Sequence, residues 1–205
     1  MIRIRPWESN DADKLYRLVR QSVTELSAWL PWCRLEYARN DTDDWISHSL
    51  NVWSHRSEFP MAIINCDNNE VLGGVGVNKI DWETKTGNLG YWVGTPWTRR
   101  GIAREAARQA AKFAFSELQL TTLEILCHPD NIASRKVAES LGALKNDGIH
   151  ANRIELHGIT VDAVVYRIAS DFASHWSTKL GPRHNSRWFQ RFGIVAGSRC
   201  IALIG

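Results

Sequence analysis

The stretch GYWVGTPWTRRGIAREAA, residues 90–107, constrains this chain more than any other. Its first residues are apolar and strand-prone, Gly94-Thr95-Pro96 interrupts them, and from Arg100 an alanine-rich run takes up helical spacing. A strand must hand over within one tight turn to a helix. The face of that helix, Ala103, Ala106, Ala107, Ala110, Phe113 and Ala114, is small enough to lie close on a sheet. The handover predicts a layered α/β protein. It also predicts an anion site, because the first N–H groups of a helix have no partner inside it and its dipole adds positive potential there. Gly101 permits close backbone approach, Ala103 keeps the next turn small, and Arg99, Arg100 and Arg104 add charge. A pyrophosphate fits such a turn, although the same letters also make an ordinary turn with a solvated basic face.

The other elements follow around it. Ile2 and Ile4 alternate up to Pro6 as a first strand, and Asn10 is placed to cap a helix over 11–26 through Leu15, Leu18, Val19, Val23 and Leu26. WLPW, Trp29 to Trp32, separates it from a second helix opened by Thr42, Asp43 and Asp44. Segments 59–66 and 71–80 flank the turn Asp67-Asn68-Asn69-Glu70 as a hairpin, and 89–93 is a fourth strand. After the helix over 100–117 come a strand over 123–127, a helix from Asn131 to Leu141 stopped by Gly142, and strands over 149–156 and 161–168. The predicted order is β-α-α-β-β-β-α-β-α-β-β without internal repeat, a mixed α/β layout of about seven strands and four helices. Residues 89–127 would form a right-handed strand-helix-strand crossover.

A length of 205 residues favours one domain with a full core. Cys33, Cys66, Cys127 and Cys200 show neither metal-ligand spacing nor a disulfide framework, so reduced thiols in a cytoplasmic protein without a metal are expected. MIRIRPW lacks the apolar run of a signal peptide, and no stretch approaches the roughly 20 apolar residues that span a bilayer. The net charge of +3 is uneven. From Ser170 onward Lys179, Arg183, Arg187, Arg191 and Arg199 face Asp171 alone, while the preceding body is nearly neutral. Trp188, Phe189 and Phe192 sit among those arginines in the manner of a nucleic-acid surface, but there is no run of consecutive cations and no recognised module, which speaks against that partner.

Several segments resemble a known family. TRRGIA, Thr98 to Ala103, resembles the Q/R-x-x-G-x-G/A signature of the GNAT acetyltransferases. Thirty residues after Gly101, Asn131 opens NIASRKVAESLGA, which is similar to that family's N-x-x-S-x-x-V-x-x-x-L-G-F. WLPW, KIDW (Lys79 to Trp82) and LGYWV (Leu89 to Val93) resemble members of the RimJ/RimL kind, and the resemblance runs from about residue 2 to Ala169. It implies the GNAT acyl-CoA N-acyltransferase fold and transfer of acetyl from acetyl-coenzyme A to an amine. It further implies that the backbone of Trp92, Val93 and Gly94 pairs with the pantetheine arm, as an extra strand between the fourth and fifth. Arg99, Arg100, Gly101, Ile102, Ala103 and Arg104 would hold the pyrophosphate, and Asn131 the pantetheine amide. Ser134 would stand near the thioester sulfur as general acid to the departing thiolate, or else be a plain solvent-facing serine. In that family the first-helix region borders the acceptor, so Trp29, Trp32 and Trp82 are candidates for an aromatic wall there. Residues 1–169 would form the acetyltransferase domain, and 170–205 a basic, Trp-containing extension: a dimer-forming arm, a lid, or a segment without function.

The departures bear on the acceptor. Thr98 stands for the usual Gln or Arg and Ala143 for the recurrent Phe. Many relatives carry a glutamate two residues before G-Y-W, where this chain has Asn88, and the Rim-type glutamate falls on Ile154, leaving Glu155 only if the register shifts by one; the tyrosine acid of other members would fall near Ala138. Direct attack on a thioester needs a neutral amine. An α-amine with pKa near ~8 is roughly a tenth neutral at pH 7, against under ~0.1% for a lysine near ~10.4. A site with no strong base suits a protein or peptide N-terminus, with Asn88 positioning a water and His150 or His157 as further proton acceptors. The alternatives are a small amine such as a polyamine or aminoglycoside, for which Asp41, Asp43 and Asp44 are the nearest acidic cluster, and a protein that holds acyl-coenzyme A without turning it over.

Overall fold

The computed structural model describes residues 1–173 and Trp176. Its strands are β1 (Ile2–Pro6), β2 (Phe59–Asn65), β3 (Val71–Asp81), β4 (Thr86–Val93), β5 (Thr122–Cys127), β6 (Leu144–Lys145), β7 (His150–Leu156) and β8 (Ile159–Ala169). The helices are α1 (Ala12–Ser27), α2 (Arg39–Ser54), α3 (Ile102–Ser116), α4 (Ile132–Ser140) and the short α5 (Ser170–Ala173). The sheet order is β1-β2-β3-β4-β5-β8-β6, with β7 paired to β8. Every pairing is antiparallel except β4 with β5. This is the mixed α/β layout expected from the sequence, with eight strands rather than seven. The additional β6 is two residues long and pairs with Arg167 and Tyr166, too short to carry a periodic signal.

Two buried clusters cover the sheet's faces. On one, Ala106, Ala107, Ala110, Ala111 and Ala114 of α3 pack on Val75, Val77, Leu89, Leu123 and Ile125. These alanines bring the helix backbone close to the sheet, and a larger side chain there would overpack it at a cost of about 1–3 kcal/mol. On the other, Leu15, Leu18 and Val19 of α1 and Ile46 of α2 join Trp7, Ala62 and Ile64. Tyr166 (0% exposed) donates to Glu139, so the middle of β8 anchors α4.

Caps and element starts depart from expectation for local reasons. Asn10 is not the cap of the first helix. The Asp11 carboxylate accepts from the Glu8 N–H (3.0 Å) and from Arg5 at 2.6 and 2.7 Å, which closes a 3-10 turn over Ser9–Asp11 before α1 begins. α2 starts three residues before Thr42 because the Asp41 carboxylate caps the Ala38 N–H (2.8 Å), while the buried Thr42 hydroxyl donates to Tyr37 instead. β4 starts at Thr86, since Thr86, Gly87 and Asn88 pair with β5 as well as extending the β3 ladder. Among the described residues no helix is long and apolar enough to cross a membrane, and no group of His, Cys, Asp or Glu could hold a metal ion.

Candidate active site

β4 and β5 pair only at Thr86↔Thr122, Gly87↔Leu123 and Asn88↔Glu124. Beyond that pair β4 continues beside β3 to Val93, β5 continues beside β8 to Cys127, and the two part company. The Gly94 N–H donates to the Leu72 carbonyl (2.9 Å), which sets the phase of the β3–β4 ladder. By antiparallel alternation Trp92 turns its backbone groups to β3 as well, and Tyr91 and Val93 turn theirs into the gap. Of Trp92, Val93 and Gly94, the three residues expected to pair with a pantetheine arm, Val93 turns its backbone groups into the gap, as Tyr91 does, and the other two turn theirs to β3. Gly94 has a packing reason of its own, because a Cβ there would come within 2.3 Å of Leu18.

The gap leads to the start of α3. Arg99 (φ 60°) and Gly101 (φ 74°) are both in the left-handed region, and a Cβ on Gly101 would meet open space. The first bond into the helix runs from the Glu105 N–H to the Gly101 carbonyl (3.1 Å), which leaves the Ile102, Ala103 and Arg104 N–H groups as the free first turn. Arg99, Arg100 and Arg104 are exposed around it, and Arg100 lies over the Trp97 ring at 5.0 Å. Thr98 donates its hydroxyl to the Thr95 carbonyl (3.0 Å), closing the turn locally.

Across the gap stands the start of α4. Asn131 is its N-cap, with Oδ1 accepting from the Ser134 N–H (3.0 Å). Ser134 is no plain surface serine. Its hydroxyl lies 3.3 Å from the Cys127 Sγ and 3.4 Å from the Tyr91 hydroxyl, which donates to the Ser134 carbonyl at 2.9 Å. The β4 strand, the end of β5 and the first turn of α4 thus meet at one hydroxyl. Burial, partly offset by the Ser134 hydrogen bond, pushes the Cys127 thiol above its ordinary range, and burial together with the nearby Cys127 raises Tyr91.

On the opposite face β4 presents Asn88, Gly90 and Trp92. Asn88 donates to Asn78 Oδ1 (2.9 Å), and its own Oδ1 is buried without a hydrogen-bond partner. A Cβ on Gly90 would meet nothing within 4 Å, so the face is open between Asn88 and Trp92. The Trp92 indole lies on Gly74, where a Cβ would come within 2.5 Å of its Nε1. Trp32 packs edge-on against Trp92 (5.6 Å) and Trp29 packs beside His128 (5.5 Å), so the WLPW segment does border the end of the gap. Trp82 does not. It follows β3 in the β3–β4 turn, at the other end of β4.

The Acetyltransferase (GNAT) domain family matches residues 2–144, more than half of the chain. The chain belongs to the GNAT acetyltransferases. It is similar to the ribosomal-protein-serine acetyltransferase of Escherichia coli (strain K12), 26% identical over 129 residues that cover 63% of this chain and 71% of that one. It is also similar to an uncharacterized N-acetyltransferase, p20, of Bacillus licheniformis, 26% identical over 168 residues, or 82% and 92% of the two chains. Mycobacterium smegmatis RimJ, solved in complex with CoA-disulfide, superposes with a TM-score of 0.73 at 22% identity over 85% of this chain and 86% of that one. The chain is thus similar in sequence to a ribosomal-protein acetyltransferase and shares the fold of a RimJ protein.

Within this GNAT site the carboxylates are the telling residues. Glu124, which the sequence reading passed over, is the partner of Asn88 in the last β4–β5 pair and shares its face. It is bound by Arg153 (2.9 Å) and by Arg167 (2.8 Å). Burial alone would raise its pKa, but the two arginines prevail and hold it below the ordinary carboxylate range, which makes it a poor proton acceptor. Ile154 pairs with Val161 and is half-buried, while Glu155 is exposed and pairs with Thr160, so the register is not shifted toward the gap in its favour. His157 bonds the Ser27 carbonyl (2.7 Å), tying the β7–β8 turn to the end of α1, and His150 Nε2 is buried without a partner.

Proposed function

We propose that this GNAT protein transfers the acetyl group of acetyl-coenzyme A to an α-amine, that of a peptide or protein N-terminus, by direct attack. The observation that carries this reading is a gap between β4 and β5, leading to the α3 turn, with Glu124, the carboxylate beside Asn88 on the acceptor face, held by two arginines. The E. coli relative is named for acetylating a ribosomal protein, which agrees with such an acceptor. The cosubstrate supplies a thioester; the neutral amine attacks its carbonyl carbon, the C–S bond breaks, and the amine's surplus proton leaves to water. In this reading the α3 turn from Arg99 through Gly101, Ile102 and Ala103 to Arg104 binds the pyrophosphate. The backbone of Val93 and Tyr91 lines the pantetheine, and Trp92 and Gly94 hold that strand in phase. Asn131 orients the pantetheine amide, Ser134 gives a proton to the departing thiolate and regains one from water, and Asn88, on the open face beside Gly90, positions the water that takes the amine's proton. Cytoplasmic residence follows from the acceptor and agrees with free Cys33, Cys66 and Cys127.

Short peptides of one sequence, with the N-terminus free or blocked and an internal lysine present or absent, test the acceptor by mass spectrometry. Acetylation confined to the free N-terminus is expected; acetylation confined to lysine overturns the reading. Thioester consumption with the same peptides separates an enzyme from a protein that only holds acyl-coenzyme A. With no strong base, turnover at saturating cosubstrate should rise through pH 7 to 8 and level off near the α-amine pKa of about 8. A plateau already reached at pH 6 would mean that a protein group takes the proton.

A further inference from the structure

The acceptor face carries a cavity that the reaction itself does not explain. It measures about 270 Å³ and is lined by Leu15, Trp32, Tyr37, Asp41, Asp44, Trp45, His48 and Trp92. Four aromatic rings make the wall: Trp32 lies 6.0 Å from Tyr37 and 5.6 Å from Trp92. Trp92 comes from β4, so the cavity adjoins the strand that borders the gap. Two carboxylates stand in this lining. Asp41 already caps Ala38 and pairs with exposed Arg34 (3.3 Å), but Asp44 makes no ion pair among the described residues.

The chemistry of this lining selects its ligand. The lining holds neither lysine nor arginine, which disfavours an anion. A neutral apolar group would strip water from the carboxylates and return nothing for it. A cation satisfies both features, since aromatic faces attract positive charge and a carboxylate completes its neutralisation. The volume exceeds the roughly 30 Å³ share of a single water, so an ammonium or guanidinium head with part of its stem fits.

We infer that this cavity is a subsite for a second cationic group of the acceptor, seated against the Trp32, Trp45 and Trp92 wall with Asp44 beside it. Resting on the N-terminal reading, that group is a lysine or arginine side chain close behind the acetylated residue.

The test is a peptide series with a free N-terminus and lysine, its uncharged isostere norleucine, or glutamate at each following position in turn. At one position lysine should exceed norleucine by about tenfold in kcat/KM, chiefly through KM. Asp44→Asn and Trp45→Leu should each bring that ratio toward unity while coenzyme A affinity, measured by calorimetry, stays unchanged and so reports an intact fold. Equal rates for lysine and norleucine at every position overturn the subsite and leave the N-terminal reading standing. A lysine preference that survives both substitutions overturns it as well. A diaminoalkane and its monoamine form a second arm. Asp44-dependent preference for the diamine, with every peptide left unmodified, supports the cation subsite and removes the N-terminal acceptor.

Discussion

Gly101 has a φ of 74° and open space where a Cβ would point, so a β-branched residue there strains the backbone and fills the ground an anion would approach. Gly101→Val should raise the dissociation constant for acetyl-coenzyme A at least tenfold, with little loss of fold; calorimetry on the folded variant decides it. Ser134 makes a different kind of prediction. A thiol with pKa near about 8.5 is already a fair leaving group, so Ser134→Ala should slow turnover only about tenfold to a hundredfold where chemistry limits the rate. Asn131→Ala should weaken cosubstrate binding and, by removing a cap, cost about 1 kcal/mol of stability. Unchanged turnover in the serine variant would make Ser134 a bystander. Gly101 and Asn131 were readable from the sequence because each is fixed by a short letter pattern at one helix start. The hydroxyl cluster of Tyr91, Cys127 and Ser134 was not, because it joins residues that only the sheet brings together. Nor was the inward phase of Tyr91 and Val93 readable, since one hydrogen bond from Gly94 to Leu72 sets it.

At the scale of elements, periodicity gave the type and order of every long helix and strand, and tertiary partners moved their ends. α2 begins where the Asp41 carboxylate can reach the Ala38 N–H, and β4 begins where β5 can pair with it. The same pairing explains why the carboxylate beside Asn88 could not be located by pattern alone: Glu124 comes to it across two strands, from 36 residues away in the chain. Its ion pairs tie β5 to β7 and β8, and their pH dependence has a definite sign. Because the folded pKa is depressed, the stabilisation is present above the unfolded value of about 4.3 and is lost as pH falls through the lower folded value. Glu124→Gln should therefore cost about 1 kcal/mol at pH 7, after screening at these partly exposed arginines, and less at pH 3. Denaturant unfolding at the two pH values checks it; an equal cost at both would assign Glu124 a packing role.

For the whole molecule, the boundary proposed after Ala169 can be sharpened. α5 continues directly from β8, and Trp176 packs against the core on the α3 side, where Lys112 donates to its carbonyl (3.3 Å). The basic residues from Lys179 to Arg199, and the arm, lid or functionless roles considered for them, lie outside the described residues. A chain ending at Ala169 should lose stability, by about 1–3 kcal/mol, through the uncovered apolar surface. One ending at residue 178 keeps α5 and Trp176, so its melting temperature and turnover per site, set against the full chain, report what residues 179–205 add. Lost turnover in the longer truncation alone would give the extension a part in the reaction. The diverging strands β4 and β5 carry a consequence beyond catalysis. Past Asn88 the backbone groups of Tyr91 and Val93 face the gap and not a neighbouring strand, so in the proposed reading acetyl-coenzyme A joins the two halves of the protein's sheet. Its rigidity should then depend on metabolic supply. Amide protons of Tyr91 and Val93 should exchange quickly with solvent when acetyl-coenzyme A is scarce and slowly when it is plentiful, and resistance to heat and proteolysis should rise with the logarithm of its concentration.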